Sequence, residues 1–188
     1  MSATYQGNKK ERNTMTTIAA VRKDGVTALA GDGQVTLGEK VIMKGNAQKV
    51  RRIYHDQVVI GFAGGVADAF TLQDWFEKKL EHYAGNLRRS AVALAQDWRK
   101  DPTLQKLEAM MIVMDEHDLL LVSGSGEVID PDEDVVAIGS GGNFAQAAAI
   151  AMLRHAPDMT PSDIAKEAVN IAGNIDIFTN HNIIVESF

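Results

Sequence analysis

The chain has 188 residues, 45% hydrophobic and 23% charged, with a formal net charge of -6 and no cysteine. This is ordinary globular usage and supports one compact domain, while the acidic balance leaves no basic footprint for a general nucleic-acid binder. Disulfides, zinc–thiolate sites and a cysteine nucleophile are excluded.

Residues 1–15 read as a polar leader, carrying Lys9, Lys10 and Arg12 as well as Gly7, Asn8 and Asn13. The apolar run Ile18 to Val21 stops at Arg22, which is too short for a signal-peptide h-region. No segment has the length needed to span a bilayer. The expectation is a soluble cytoplasmic protein: a leader or mis-assigned start over 1–15, then a single domain over 16–188.

Thr16 stands where the leader gives way to this first apolar run. A threonine hydroxyl becomes an effective nucleophile when a base lies beside it, and its own free α-amine can be that base. A chain beginning at Thr16 carries both groups on one residue. Translation from Met15 with removal of that methionine, or cleavage after Met15, would each produce it. The same Thr-Thr-Ile run is also ordinary strand sequence, since β-branched residues suit a pleated, half-buried surface.

Thr17 to Arg22 and Val26 to Ala30 predict two strands around the turn dipeptide Asp24-Gly25. Gly31-Asp32-Gly33 follows, then a strand at Val41 to Lys44 and a pair at Lys49 to Tyr54 and Gln57 to Ala63. Val66, Ala69, Phe70, Gln73, Phe76, Leu80 and Tyr83 then recur at helical spacing. Ala84-Gly85-Asn86 stops that helix; Leu87, Ala91, Leu94 and Trp98 mark a second, ending before Asp101-Pro102. Trp75 and Trp98 fit core stripes.

Strands return at Ala109 to Met114, Leu119 to Ser123, Glu127 to Ile129 and Val135 to Ile138. Gly139-Ser140-Gly141-Gly142 leads into the helix Phe144 to His155. Thr160-Pro161-Ser162-Asp163 starts another, with Ile164, Ala168, Ile171, Ala172 and Ile175 as its core face. Asp176 to Thr179 and Ile183 to Glu186 read as closing strands. Helices arriving in pairs between sets of strands do not fit a doubly wound parallel sheet. They fit an α+β, four-layer αββα sandwich.

Asp32 follows a strand that should lie beside the first, which would bring its carboxylate near Thr16. In Lys49-Val50-Arg51-Arg52, strand alternation sends Lys49 and Arg51 to one face and Val50 and Arg52 to the other; an inward lysine needs a carboxylate, and Asp32 is available. Gly61-Phe62-Ala63-Gly64-Gly65 lies at a strand-to-helix junction where bare amides can stabilise an oxyanion. Gly139 to Gly142 repeats that arrangement and alternatively suggests a phosphate nest, but lacks the lysine of a P-loop. The five histidines have no helical i, i+4 metal spacing, and no serine sits in a Gly-x-Ser-x-Gly elbow.

With Thr16-Thr17-Ile18, Ala30-Gly31-Asp32-Gly33-Gln34-Val35-Thr36-Leu37-Gly38, Lys49-Val50-Arg51-Arg52, Gly61-Phe62-Ala63-Gly64-Gly65-Val66-Ala67-Asp68-Ala69-Phe70-Thr71-Leu72 and Ala137-Ile138-Gly139-Ser140-Gly141-Gly142 in this order, the chain closely resembles the HslV (ClpQ) family. These are proteasome-like peptidase subunits of a bacterial ATP-dependent protease. The resemblance implies the N-terminal nucleophile fold and a threonine endopeptidase. Thr16 would be the nucleophile, with its freed amine as general base, and Lys49 would lower that amine's basicity, held by Asp32. Gly64 would be the oxyanion donor, and Ser140 would hydrogen-bond near the amine.

The resemblance further implies two stacked six-subunit rings and a hexameric AAA+ ATPase of the HslU (ClpY) type that feeds in unfolded proteins, with ATP used by that partner alone. It also implies a structural sodium ion on backbone carbonyls at Gly173, Asp176 and Thr179. Two departures stand out: Asp176 occupies a position where cysteine or a small residue is expected, and a leader precedes Met15. Two other readings are a catalytically silent proteasome-like structural subunit and a phosphate-binding α/β module using Gly139 to Gly142.

Overall fold

The computed structural model describes residues 16–37, 40–101 and 109–188. The expected leader and the Pro102 helix stop lie outside the described residues. In chain order the elements are β1 (Thr17–Lys23), β2 (Val26–Gly31), β3 (Val35–Leu37), β4 (Val41–Lys44), β5 (Val50–Ile53), β6 (Val58–Ala63), α1 (Val66–His82) and α2 (Leu87–Lys100). They continue with β7 (Met110–Met114), β8 (Leu119–Ser123), β9 (Val128–Ile129), β10 (Val135–Gly139), α3 (Gly142–His155), α4 (Pro161–Gly173) and β11 (Ile184–Ser187).

The β1–β2 hairpin turns through Asp24 and Gly25 at φ 53° and 78°, the positive values a tight type I′ turn demands and the reason Asp-Gly serves there. β10 pairs with the other edge of β1 and β11 with that of β2, giving the antiparallel order β10-β1-β2-β11. A second antiparallel sheet runs β5-β6-β7-β8-β9. The ribbon β3–β4 stands apart from both.

Three apolar clusters define the layers. Ile18, Ala20, Leu29, Val50, Val59, Ile112 and Ile138 fill the space between the two sheets. Alternate residues on the same strands point outward: Ala19, Val21, Ala28 and Ala30 pack on Ile164, Ala168 and Ala172 of α4 and on Ala145 and Ala149 of α3. The small residues on both sides let the α3–α4 pair lie close to β1 and β2. Across the second sheet, Ile60, Phe62, Met111 and Val113 meet Leu72, Phe76 and Leu80 of α1 and Leu94 and Trp98 of α2. This is the expected αββα sandwich; burying strands on both faces explains their near-continuous hydrophobicity.

The Thr160 cap agrees with the sequence, and Asn86, read only as part of a helix stop, also caps the next helix. Asn86 accepts the Arg89 N–H at the start of α2, and Thr160 accepts the Asp163 N–H at the start of α4, with Pro161 in its first turn. Several details differ. Phe70 is exposed, because the buried stripe of α1 runs through Leu72, Phe76 and Leu80 at four-residue spacing; its ring lies instead 4.5 Å beneath the Arg51 guanidinium. The Val66 side chain lies outside what is described. Ile175 is also exposed, since α4 has ended at Gly173.

Asp176 to Thr179 is not a strand. Asp176 N–H closes on Ala172 O at 2.8 Å and Thr179 N–H on Asp176 O at 3.1 Å, so the segment turns. Ile177, Phe178 and Thr179 have strand-like side chains, but the segment finds no partner strand. β3 went unforeseen, being a three-residue strand paired only with β4.

Candidate active site

The site forms at the end of the sandwich where β1 begins and β2 and β10 end. Register brings this about: Thr17 is opposite Gly139, and Ile18 is opposite both Ile138 and Gly31. The residue before β1, the one after β2 and the one after β10 are therefore Thr16, Asp32 and Ser140, held together by two ladders. Thr16 is buried to 6% exposure. Its carbonyl lies against Gly139, whose φ is +95°; a Cβ there would run into Thr16 O. Only glycine fits that position.

Asp32 is organised as an acceptor. Oδ1 takes the Thr17 N–H at 3.0 Å and the Lys49 ammonium at 2.8 Å; Oδ2 takes the Gln34 N–H at 2.9 Å and the Asn180 N–H at 3.3 Å. The backbone closes the same loop, with Asp32 N–H on Thr17 O at 3.1 Å. The Lys49 side chain is 9% exposed and the Asp32 side chain fully buried. Burial lowers the Lys49 pKa below the usual lysine range, against the opposing pull of the carboxylates of Asp32 and, more weakly, Asp176.

Lys49 therefore pairs with Asp32, though by a different route from the one strand alternation suggests. It precedes β5 and reaches the opposite sheet, so it does not share a face with Arg51, which turns to Gln73 and Phe70 of α1. Arg52 crosses to β11, donating to Glu186 at 2.6 Å and to Ser187 O at 2.6 Å. Strand alternation does not extend to a residue ahead of the strand.

A second hydrogen-bond chain lies on the other side of Thr17. Asp176 Oδ2 accepts from Ser140 Oγ at 2.7 Å and from Thr179 Oγ1 at 2.6 Å. Thr179 Oγ1 is 2.6 Å from Thr17 Oγ1, which also receives the Gly141 N–H at 3.1 Å. Because the Thr179 proton goes to the carboxylate, the Thr17 hydroxyl must donate to Thr179, and every hydroxyl has a fixed direction. Ser140 Oγ also lies 3.4 Å from Thr16 O. The Gly141 amide is thus committed to Thr17, which takes from the Gly139 to Gly142 turn a donor that a phosphate nest would use.

Gly64 ends the strand stretch beside Lys49: Phe62 N–H meets Lys49 O at 3.4 Å, and Gly64 follows two residues later with φ +156°. Gly173 ends α4 and Asp176 and Thr179 lie on the turn that follows it, with the Thr179 carbonyl 3.5 Å from where a Gly173 Cβ would be. The Asp176 carbonyl spends one lone pair on the Thr179 N–H and keeps a second for another partner, while the Asp176 carboxylate is engaged by Ser140 and Thr179. Among the described residues no group of three or more His, Asp or Glu side chains could hold a metal ion.

Thr17, Gln34 and Asn180 were not legible as site residues. Thr17 read as strand, and Asn180 reaches Asp32 across a sequence separation of 148.

Comparison with known proteins bears on this geometry. The family model for the proteasome subunit matches residues 12–187. The ATP-dependent protease subunit HslV of Lacticaseibacillus casei is 99% identical over 174 residues, 93% of this chain and all of that protein. That of Lactiplantibacillus plantarum is 69% identical over 172 residues, 92% of this chain and 96% of the relative. The crystal structure of a eukaryotic HslV from Trypanosoma brucei superposes with a TM-score of 0.86 at 47% identity, covering 92% of this chain and 98% of that one.

Proposed function

The chain belongs to the proteasome subunit family, within its HslV group, and from this membership and the geometry around Thr16 we propose how its peptidase activity is carried out. It is the proteasome-type threonine peptidase subunit of an ATP-dependent protease. The observation that carries the residue assignment is the Lys49–Asp32 pair, buried and fastened to the Thr17 N–H beside Thr16.

In the mature form the Thr16 α-amine is free. A model α-amine titrates at about 8, and the Lys49 charge beside it lowers that value, bringing it to where a general base works well near neutrality. The amine takes the hydroxyl proton, directly or through a water, as Oγ1 attacks the scissile carbonyl. The developing oxyanion is met by the Gly64 N–H, and the Lys49 charge stabilises it further. The protonated amine gives its proton to the leaving amine, leaving an ester on Thr16; water then attacks with the amine again as base, releasing the acid and regenerating the hydroxyl.

With Thr16 amide-bonded to Met15 there is no free base, so any chain that retains Met15 is inactive. A sodium ion held by the carbonyls of Gly173, Asp176 and Thr179 would supply positive charge and rigidity to the turn that carries Asp176 and Thr179.

The assembly is two stacked hexameric rings with the Thr16 sites facing an enclosed chamber, working in the cytoplasm. An HslU-type hexameric ATPase spends the ATP and delivers unfolded proteins. The ATP-dependence in the relatives' names and the proteasome-like fold support this.

The test is hydrolysis of a small peptide by protein starting at Thr16, by the same protein with Thr16→Ala, and by the 188-residue form carrying an uncleaved leader. Activity in the first alone is expected. Full activity in Thr16→Ala removes the nucleophile assignment, and full activity with the leader intact removes the amine from the mechanism.

A further inference from the structure

Resting on the reading of Asp32 and Lys49 as the active pair, we infer that Asn180 is a positioning residue that sets their separation. Asn180 sits in the segment between α4 and β11, far in sequence from Asp32 and Lys49, yet its backbone N–H and both polar atoms of its side chain are used at the site. Its backbone N–H donates to Asp32 Oδ2 at 3.3 Å; its Oδ1 accepts the Gly33 N–H at 3.1 Å; its Nδ2 donates to Gly45 O at 2.8 Å. One residue thus touches the turn that carries Asp32 and the loop that leads to Lys49.

Those two segments also touch each other. Ala47 N–H donates to Gly33 O at 2.9 Å, and a Cβ on Gly33 would stand 2.7 Å from Gly45 O and 2.9 Å from Asn46 Cα. Contact this close keeps the backbones at a fixed distance only if something holds them together, and the Asn180 amide does so from the side. Asp32 follows β2 in one sheet and Lys49 precedes β5 in the other. Among the described residues no ladder hydrogen bond joins these two strands, so the 2.8 Å ion pair depends on the Ala47–Gly33 backbone bond and on the Asn180 clamp beside it.

Asn182 provides the internal comparison. Its Nδ2 also donates to Gly45 O, at 2.7 Å, and its N–H goes to Asn180 Oδ1 at 3.1 Å. Its side chain reaches only the Lys49 loop, so losing it removes one redundant bond and leaves the bridge to the Asp32 turn.

The experiment compares Asn180→Ala, Asn180→Asp and Asn182→Ala in protein starting at Thr16, measuring kcat and KM for a small peptide alongside Tm and ring assembly. Asn180→Ala should lower kcat by about 10- to 100-fold, as small misplacements of reacting groups do, with KM changed by less than about 2-fold and the rings intact. Asn180→Asp keeps the acceptor for Gly33 but turns a carboxylate oxygen toward Gly45 O; it should lose kcat in the same way. Asn182→Ala should stay within about 3-fold of the parent, as most peripheral substitutions do.

Wild-type kcat in either Asn180 variant overturns the assignment. So does an Asn182→Ala loss equal to that of Asn180→Ala, which would make the clamp a property of the loop, or a fall in activity that only tracks Tm. Asp32→Ala and Lys49→Ala serve as separate controls: full activity in these would overturn the underlying pair, whereas their inactivity beside a normal Asn180→Ala would overturn this inference alone.

Discussion

Lys49 Nζ lies 2.8 Å from Asp32 Oδ1, and the same oxygen accepts the Thr17 N–H. The pair bridges the two sheets at the mouth of the site. Its two partners are not equivalent: Asp32 has three backbone N–H donors besides the lysine, from Thr17, Gln34 and Asn180, while among the described residues the ammonium donates to Asp32 alone.

Removing the carboxylate should therefore be worse for the fold than removing the ammonium. Lys49→Met leaves Asp32 with three donors; Asp32→Asn leaves a buried cation and points an NH2 at N–H groups. Breaking a buried pair from the side that strands a charge costs about 3–5 kcal/mol. Chemical denaturation should rank the proteins parent, Lys49→Met, Asp32→Asn in falling stability, with both variants losing peptide hydrolysis by about 100-fold or more. An Asp32→Asn protein as stable as the parent would show that the backbone donors, and not the ion pair, define the site.

α2 offers a prediction unconnected with catalysis. Ser90 is fully buried in this helix, and its hydroxyl has no hydrogen-bond partner among the described residues. An unpaired buried polar group costs about 1–3 kcal/mol, and alanine is the better helix former. Ser90→Ala should raise Tm by about 2–4 °C, as expected of a gain near 1 kcal/mol in a domain of this size, without changing peptide hydrolysis. A lower Tm would mean that the hydroxyl has a partner, such as a bound water.

What the sequence disclosed and what it hid divide along a physical line. Periodicity gave the helices, their caps and the paired-sheet architecture, because these depend on neighbours three, four or two residues away. Thr16, Asp32 and Lys49 could be brought together on paper because each adjoins a strand whose pairing could be guessed, whereas Ser140 was implied by the resemblance alone. Phe70 and Ile175 were misread because a stripe on paper has no fixed width and does not show where the helix ends. Asn180 and the Thr17 hydroxyl were invisible, since polar contacts across more than a hundred residues leave no local pattern. Asp176 was read as a departure at a carbonyl site, whereas its carboxylate holds Ser140 and Thr179.

The ion pairs around Asp130 give a pH prediction. Hydrogen bonding from Arg88, with Arg22 and Coulombic attraction from both adding to it, holds the Asp130 pKa below its ordinary 3.8 despite partial desolvation. A depressed carboxylate contributes stability that is fully present above the unfolded value and is lost as pH falls through the folded one. The Asp130 side chain is 38% exposed, so solvent screening keeps the contribution below about 1 kcal/mol. Asp130→Asn should melt slightly below the parent at pH 7, and the two curves should converge once the pH is below the folded pKa. High salt at pH 7 should narrow the gap; a gap that persists in acid would have to come from packing.

Asp176→Asn separates the two roles that meet on the turn after α4. The carboxylate receives Ser140 Oγ and Thr179 Oγ1 on one oxygen and the Phe178 N–H on the other, at 3.3 Å. An amide has one accepting oxygen, so at least one hydroxyl or N–H must lose its partner, at a cost of about 1–3 kcal/mol. The proton order through Thr179 to Thr17 is then free to reverse, and kcat should fall by about 10-fold or more for a misplacement of this kind beside Thr16. The proposed sodium site uses only the backbone carbonyl of this residue, so any rise in Tm with added sodium, measured against an equal concentration of a bulky organic cation, should survive the substitution. Loss of that sodium response in Asp176→Asn, with the protein still folded, would make the carboxylate itself a ligand and change the account of why an acidic residue stands at this position.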